Sequence, residues 1–280
     1  MDAPLIGAVD LIDLILDDRE MTLLDVRYRM GGPGGRDEFA RGHIPGAAYV
    51  DLDADLAGTP GERGRHPLPE PDVFGDAMRR AGVGRAPVVV YDDWEGRAAA
   101  RCWWLLRYHG CVEVQVLDGG WPAWQRAGGA IQAGPSVERN GTFAADPGRL
   151  PVLEAADVLA FAEQAVLIDA RNPERYRGEV EPVDPVAGHI PGAVNVPTGT
   201  NLRDDGTFRS PAELRAAYPD AAEIGVYCGS GVTAAHDLLA LAYAGIDAVL
   251  YPGSWSEWVA DPSNPVATGP EPVSNSPGPR

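Results

Sequence analysis

Residues 228–233 read CGSGVT and stand between an apolar run, EIGVY (223–227), and a stretch with helical spacing. Cysteine is the residue type here able to act as a strong nucleophile near neutral pH, and it does so as the thiolate. A cysteine between a strand and a helix N-terminus faces backbone N–H groups that have no helical partner. Gly229, Ser230 and Gly231 are small enough for the loop to curl until such groups converge on one point, a nest that holds an anion. Gly229 and Gly231 are expected to supply the positive φ values of that curl, and Ser230 adds a hydroxyl donor. The pattern suits a charged sulfur. Cys102 and Cys111, in ARCWWLLRYHGC (100–111), fall in a bulky apolar helix and its end and read as small hydrophobes.

A nucleophilic cysteine at a strand–helix junction also serves phosphatases, which clamp phosphate with an arginine six positions on. Position 234 is alanine. Without that bidentate clamp a phosphoryl transition state loses its main stabilisation, and phosphatase chemistry is excluded.

The elements that must position Cys228 are written twice. LLDVR (23–27) returns as LIDAR (167–171), and GHIPGA (42–47) returns unchanged at 188–193. VVVYDD (88–93) is answered by IGVYCG (224–229), and DGGWPAW (118–124) by PGSWSEW (252–258). Four matches in one order mean a duplicated domain. Buried strands are expected at 165–170 and 223–228, and helices at 210–218 and 232–244, the first opened by Ser210, Pro211 and Glu213. Strands alternating with helices give an α/β domain with a mainly parallel sheet, whose ligands gather beyond the carboxyl ends of the strands. Cys228 stands at such an end. Its counterpart in the first half is Asp92, so that half has no thiol to offer and reads as catalytically inert. The divisions expected are a first domain over 1–131, a polar linker over 132–151, a catalytic domain over 152–268 and a tail over 269–280.

The chain has 280 residues, 45% hydrophobic and 23% charged, with 23 basic against 41 acidic side chains and a net charge of −18. That charge repels nucleic acid and anionic membranes, so neither is expected as a partner. A small anion remains acceptable where a few arginines reverse the local field. Three scattered cysteines make neither a disulfide framework nor a zinc site. The N-terminus carries Asp10, Asp13, Asp17 and Asp18 among its apolar residues and reads as an amphipathic helix, not a signal peptide. The expected setting is the reducing cytoplasm.

The duplicated halves, the two GHIPGA signatures and CGSGVT together resemble the tandem-domain rhodaneses, over about residues 5–268. Within them, CGSGVT is similar to the loop of the 3-mercaptopyruvate sulfurtransferases. The resemblance implies two rhodanese-like domains, each a mainly parallel sheet flanked by helices, and a sulfurtransferase without metal or organic cofactor. It implies that Cys228 takes sulfur from 3-mercaptopyruvate or thiosulfate as a persulfide and passes it to cyanide or a thiol acceptor such as thioredoxin. It further implies that Arg175 contacts the anionic donor beside Gly229, Gly231, Val232 and Thr233, and that Ser230, His66 and Asp53 form a proton relay. His66 read without the family is equally well a structural histidine. The chain departs from the family's pattern at Val183, where a second donor-binding arginine is usual, and Arg177 is the nearest replacement in sequence. His43 and His189 recur in both halves and read as structural, as do the pairs Asp25/Arg27 and Asp169/Arg171. Trp255 and Trp258 fit either a cleft wall or the core. A sulfur carrier or redox-sensing module with little turnover is the alternative to an enzyme.

Overall fold

Apolar, β-branched runs such as TLLD and VVVY are too short for helices and form the strands of two parallel sheets in the computed structural model, which describes residues 3–29 and 32–270. The first sheet has strands β1 (Leu5–Ile6), β2 (Thr22–Asp25), β3 (Ala48–Tyr49), β4 (Val88–Tyr91) and β5 (Val114–Leu117), in the order β1-β5-β4-β2-β3. The second has β6 (Val166–Asp169), β7 (Val194–Asn195), β8 (Ile224–Tyr227) and β9 (Val249–Leu250), in the order β7-β6-β8-β9. Val152 bridges Leu250 in parallel, at the place β1 holds in the first sheet. The two orders coincide once this bridge is counted. Both central strands, β4 and β8, are buried throughout, as strands covered by helices on both faces must be.

The helices follow their sequence signals. Helix Pro211–Ala217 opens with Ser210 accepting from the Glu213 N–H while the Glu213 carboxylate accepts from the Ser210 N–H, a complete capping box worth about 1 kcal/mol. Helix Ala234–Tyr243 follows the cysteine loop and is buried over most of its length. Helix Ala8–Leu16 buries Leu11 and leaves Asp10 and Asp13 on its outer side. No helix among the described residues is long and apolar enough to cross a membrane.

The chain forms two compact units. The first holds residues up to Gly58, Leu68–Leu150 and Leu202–Phe208; the second holds Thr59–Pro67, Pro151–Asn201 and the chain from Arg209. Much of the polar stretch 132–151 lies along the first unit, with Thr142 and Phe143 donating to the Val83 carbonyl and Phe143 buried. Past Asp261 the chain returns to the second GHIPGA turn, where His189 and Ala267 exchange both backbone hydrogen bonds at 2.8 and 2.9 Å. Most of the expected tail, residues 271–280, lies outside the described residues.

Each sheet is tied to its GHIPGA turn by one buried ion pair. Arg171 binds Asp169 in bidentate fashion and donates through Nη2 to the Gly188 carbonyl at 2.6 Å, and Arg27 repeats this with Asp25 and Gly42. The Tyr227 hydroxyl at the end of β8 accepts from the Ile190 N–H at 3.1 Å, and Tyr91 does the same for Ile44. His189 and His43 donate from Nδ1 to the carbonyls of Tyr176 and Phe39, the tautomer that a carbonyl partner requires, and stack on those same rings. Their recurrence in both halves is structural. Trp255 and Trp258 belong to the second unit's core, with Trp255 under the Arg171 guanidinium at 4.6 Å.

Removing one partner of such a pair leaves an uncompensated buried charge, at a cost of about 3–5 kcal/mol. Asp169→Asn is expected to lower the urea midpoint accordingly, while an exposed pair such as Arg177 with Glu179 tolerates Glu179→Gln with the midpoint unchanged. A second expectation concerns His109, whose two ring nitrogens are buried without partners and whose burial lowers its pKa from 6.5 to about 4. The unfolded chain therefore binds a proton that the folded chain refuses. Stability from this site is complete above pH 6.5 and falls as pH drops toward about 4. Thermal melts across that range should show a shallower decline for His109→Leu than for the unaltered chain; equal slopes would remove His109 as the cause.

Candidate active site

Cys228 begins where β8 ends, and its side chain is 1% exposed. Its backbone is held on both sides: the N–H donates to Ser254 Oγ at 3.1 Å and the carbonyl accepts from the Trp255 N–H at 3.0 Å. The Gly231 N–H points back at Sγ from 3.2 Å, the contact of a loop curled around sulfur.

The small residues have separate reasons. Gly231 has φ +75°, and a β-carbon there would lie 2.2 Å from the Pro252 carbonyl oxygen, so glycine is required twice over. Gly229 differs from the expectation, for it has no positive φ. A β-carbon at 229 would instead lie 3.0 Å from Arg65 Nη2 and 3.4 Å from Arg175 Nη1. Its smallness makes room for two guanidinium groups.

Arg65 and His66 arrive on the segment Thr59–Pro67, which belongs to the second unit. A tight Gly61–Gly64 bridge turns this segment, and the Arg65 N–H donates to Ser256 Oγ at 3.1 Å. His66 Nδ1 then lies 2.7 Å from Ser230 Oγ. Asp53 is in the first unit, exposed on helix Leu52–Asp55, with its N–H donating to Asp51. Val232 is buried and Thr233 is the residue preceding helix Ala234–Tyr243.

Arg175 is not an isolated positive charge. Its Nε and Nη2 bind Glu181 at 3.1 and 2.6 Å, and Nη2 also reaches Asp184 at 3.1 Å. Arg65 pairs with Asp184 through Nη1. Both carboxylates are 4% exposed. Burial works to raise Glu181, but Arg175 and the N–H groups of Asp184 and Val183 hold it below the usual range. For Asp184, burial and the neighbouring Glu181 charge prevail over the arginines and push it up. Val183 is 37% exposed, and Arg177 is taken by Glu179 at 2.8 Å. Burial pushes the thiols of Cys102 and Cys111 up, which keeps them protonated and unreactive.

The first unit carries the same loop with a different anion. Asp92 is fully buried and accepts from the N–H groups of Trp94, Gly96 and Ala99 at 2.8–2.9 Å. Its carbonyl accepts from Trp121, as that of Cys228 does from Trp255. A carboxyl group fills the place of the thiol, its pKa pushed up by burial against the three N–H groups that work to lower it, so this loop has no thiol.

Sequence reasoning missed Arg65, Glu181, Asp184 and Ser254. Ser254 had a legible signal: it stands opposite Gly120 in the repeat, and both have φ near +55°. A serine at that angle is strained, and its hydroxyl is held between the Cys228 N–H and the Tyr251 carbonyl. Of the other three, Arg65 meets Asp184 from 119 positions away, while Glu181 and Asp184 lie only 6 and 9 positions from Arg175 in a loop whose fold spacing does not reveal.

A rhodanese-like domain profile matches residues 8–127 and again 154–261. SseB of Mycobacterium tuberculosis, provisionally named a thiosulfate sulfurtransferase, is 47% identical over 277 residues, 95% of this chain and 97% of that protein. The 3-mercaptopyruvate sulfurtransferase of Escherichia coli is 39% identical over 267 residues, 90% of this chain and 93% of that one. Among solved structures, the 3-mercaptopyruvate sulfurtransferase SseA of Escherichia coli matches with a TM-score of 0.79 at 37% identity, covering 91% of this chain and 99% of that one.

Ser254→Ala leaves the Cys228 N–H buried without an acceptor, which costs about 1–3 kcal/mol. The expected outcome is a lower urea midpoint with the fold retained. An unchanged midpoint would mean that the backbone of Cys228 is held by its other contacts alone.

Proposed function

The chain belongs to the rhodanese family and is an enzyme of its sulfurtransferase class, and on that premise we propose that it moves sulfur from 3-mercaptopyruvate or thiosulfate to a thiol or cyanide through a persulfide on Cys228. The observation that carries this reading is the Gly231 N–H aimed at Cys228 Sγ from 3.2 Å, beside two guanidinium groups. An amide already directed at the sulfur stabilises an anion there without reorganisation, first the thiolate and then the terminal sulfur of the persulfide.

With thiosulfate, the thiolate attacks the outer sulfur, an S–S bond forms, the original S–S bond breaks and sulfite leaves with its electron pair. No proton moves. With 3-mercaptopyruvate, the carbon–sulfur bond breaks and the enolate of pyruvate leaves, so the proton of the donor thiol must end on carbon. The Ser230–His66 hydrogen bond of 2.7 Å supports a relay for that proton. Asp53 as the third member of the relay rests on the family resemblance alone. The acceptor thiolate, on a small thiol or a thioredoxin-like protein, then attacks the outer persulfide sulfur and returns Cys228 as thiolate. This is covalent catalysis of the ping-pong type. A reducing cytoplasmic setting suits the three unpaired cysteines.

The test is steady-state sulfur transfer to cyanide from each donor. Turnover with the unaltered chain and none with Cys228→Ser is expected. One sulfur taken up per chain without turnover would replace the enzyme reading with that of a carrier. Ser230→Ala is expected to lower kcat by about 100-fold with 3-mercaptopyruvate and far less with thiosulfate, since only the first reaction moves a proton. Equal losses with both donors would assign Ser230 to the loop's shape instead.

A further inference from the structure

Position 183 carries no guanidinium, and Arg177 is engaged by Glu179, yet two guanidinium groups flank the residue that follows the nucleophile. Arg65 approaches the position of a Gly229 β-carbon to 3.0 Å with Nη2, and Arg175 approaches it to 3.4 Å with Nη1. Each arginine binds carboxylates through its other nitrogens: Arg65 through Nη1 to Asp184, and Arg175 through Nε and Nη2 to Glu181 and Asp184. Among the described residues, neither Arg65 Nη2 nor Arg175 Nη1 donates a hydrogen bond. The unspent donors are the two nearest Gly229, with Arg175 Nη2, already bound to Glu181 and Asp184, next at 3.6 Å.

We propose that Arg65 and Arg175 form a two-guanidinium clamp for the donor's anionic end, and that Asp184, by neutralising it, selects a monoanionic carboxylate over a dianion. This rests on the sulfurtransferase reading above and deepens it. Asp184 touches both guanidiniums, so it fixes their separation as well as their charge. The two arginines and the two carboxylates Glu181 and Asp184 sum to zero, while Cys228 reacts as an anion. A donor with one negative charge enters that field with two hydrogen-bond donors waiting and one unit of repulsion from the thiolate. A donor with two charges meets twice the repulsion and no net positive charge to offset it. The oxygens of a carboxylate can each accept from one arginine, a geometry that fits two facing N–H groups. By this argument 3-mercaptopyruvate is the preferred donor, with Arg65 supplying the second guanidinium from the segment Thr59–Pro67.

The experiment compares the full chain with Arg65→Gln, Arg65→Lys and Asp184→Asn by two readouts. The first is kcat and KM for each donor with cyanide as acceptor. The second is the ratio of Cys228 alkylation rates by iodoacetate, which carries a carboxylate, and by iodoacetamide, which is neutral. Arg65→Gln should raise KM for 3-mercaptopyruvate about tenfold or more with kcat little changed. It should lower the iodoacetate-to-iodoacetamide ratio by a similar factor, while the iodoacetamide rate itself stays within about threefold and so reports an intact loop. Arg65→Lys should recover part of both effects. Asp184→Asn should shift the ratio of kcat/KM values toward thiosulfate by about tenfold. An unchanged alkylation ratio and KM in Arg65→Gln overturns the clamp, as does a loss seen equally with iodoacetamide. If the unaltered chain turns over neither donor but its alkylation ratio still falls in Arg65→Gln, the donor reading fails and the clamp stands.

Discussion

The buried pair of Asp169 and Arg171 holds together the half that carries Cys228. It joins the end of β6 to the GHIPGA turn, whose Gly188 carbonyl accepts from Nη2 while Nη1 reaches Glu181 at 3.4 Å, and it places the cation over Trp255. Trp255 in turn donates its N–H to the Cys228 carbonyl. The path from a strand end to Cys228 is thus two residues long. A buried ion pair adds little net stability compared with apolar packing, but it is unforgiving of altered geometry, which suits a device that fixes where a loop must lie. The same pair, turn and tryptophan recur in the first half with Asp25, Arg27, Gly42 and Trp121.

Duplication makes the two loops a natural comparison. One fold holds a carboxylate with three amide hydrogen bonds at Asp92, and the other holds a sulfur with an amide at Cys228. In either half the place holds an acidic side chain against backbone amides, and only in the second half is that side chain a thiol. A carboxylate cannot take up sulfur and release it again; a thiolate can.

Charge around Cys228 is balanced rather than simply positive. In a chain of net charge −18, arginines near the site would draw any anion, and the carboxylates of Glu181 and Asp184 temper that attraction while aiming the guanidiniums. The relatives bear names for both donors, so similarity by itself does not choose between them.

By itself the sequence determined the duplication, the strand–loop–helix setting of Cys228, the capping box at Ser210 and the structural role of the repeated histidines, because each is written in neighbouring residues or in a repeat. The two strands and two helices bounded in the second half were legible to within one or two residues for the same reason: period and caps act locally. The reason for Gly229 was not legible, since its neighbour Arg65 stands far away in the chain and only folding brings that guanidinium against it. The contact of His66 with Ser230 spans 164 positions and that of Arg65 with Asp184 spans 119. Such contacts depend on where a surface segment is drawn by the turn it packs on, and neither spacing nor periodicity encodes that. Tertiary structure alone decided that Arg65 and Arg175 stand together beside Gly229, the residue after the cysteine.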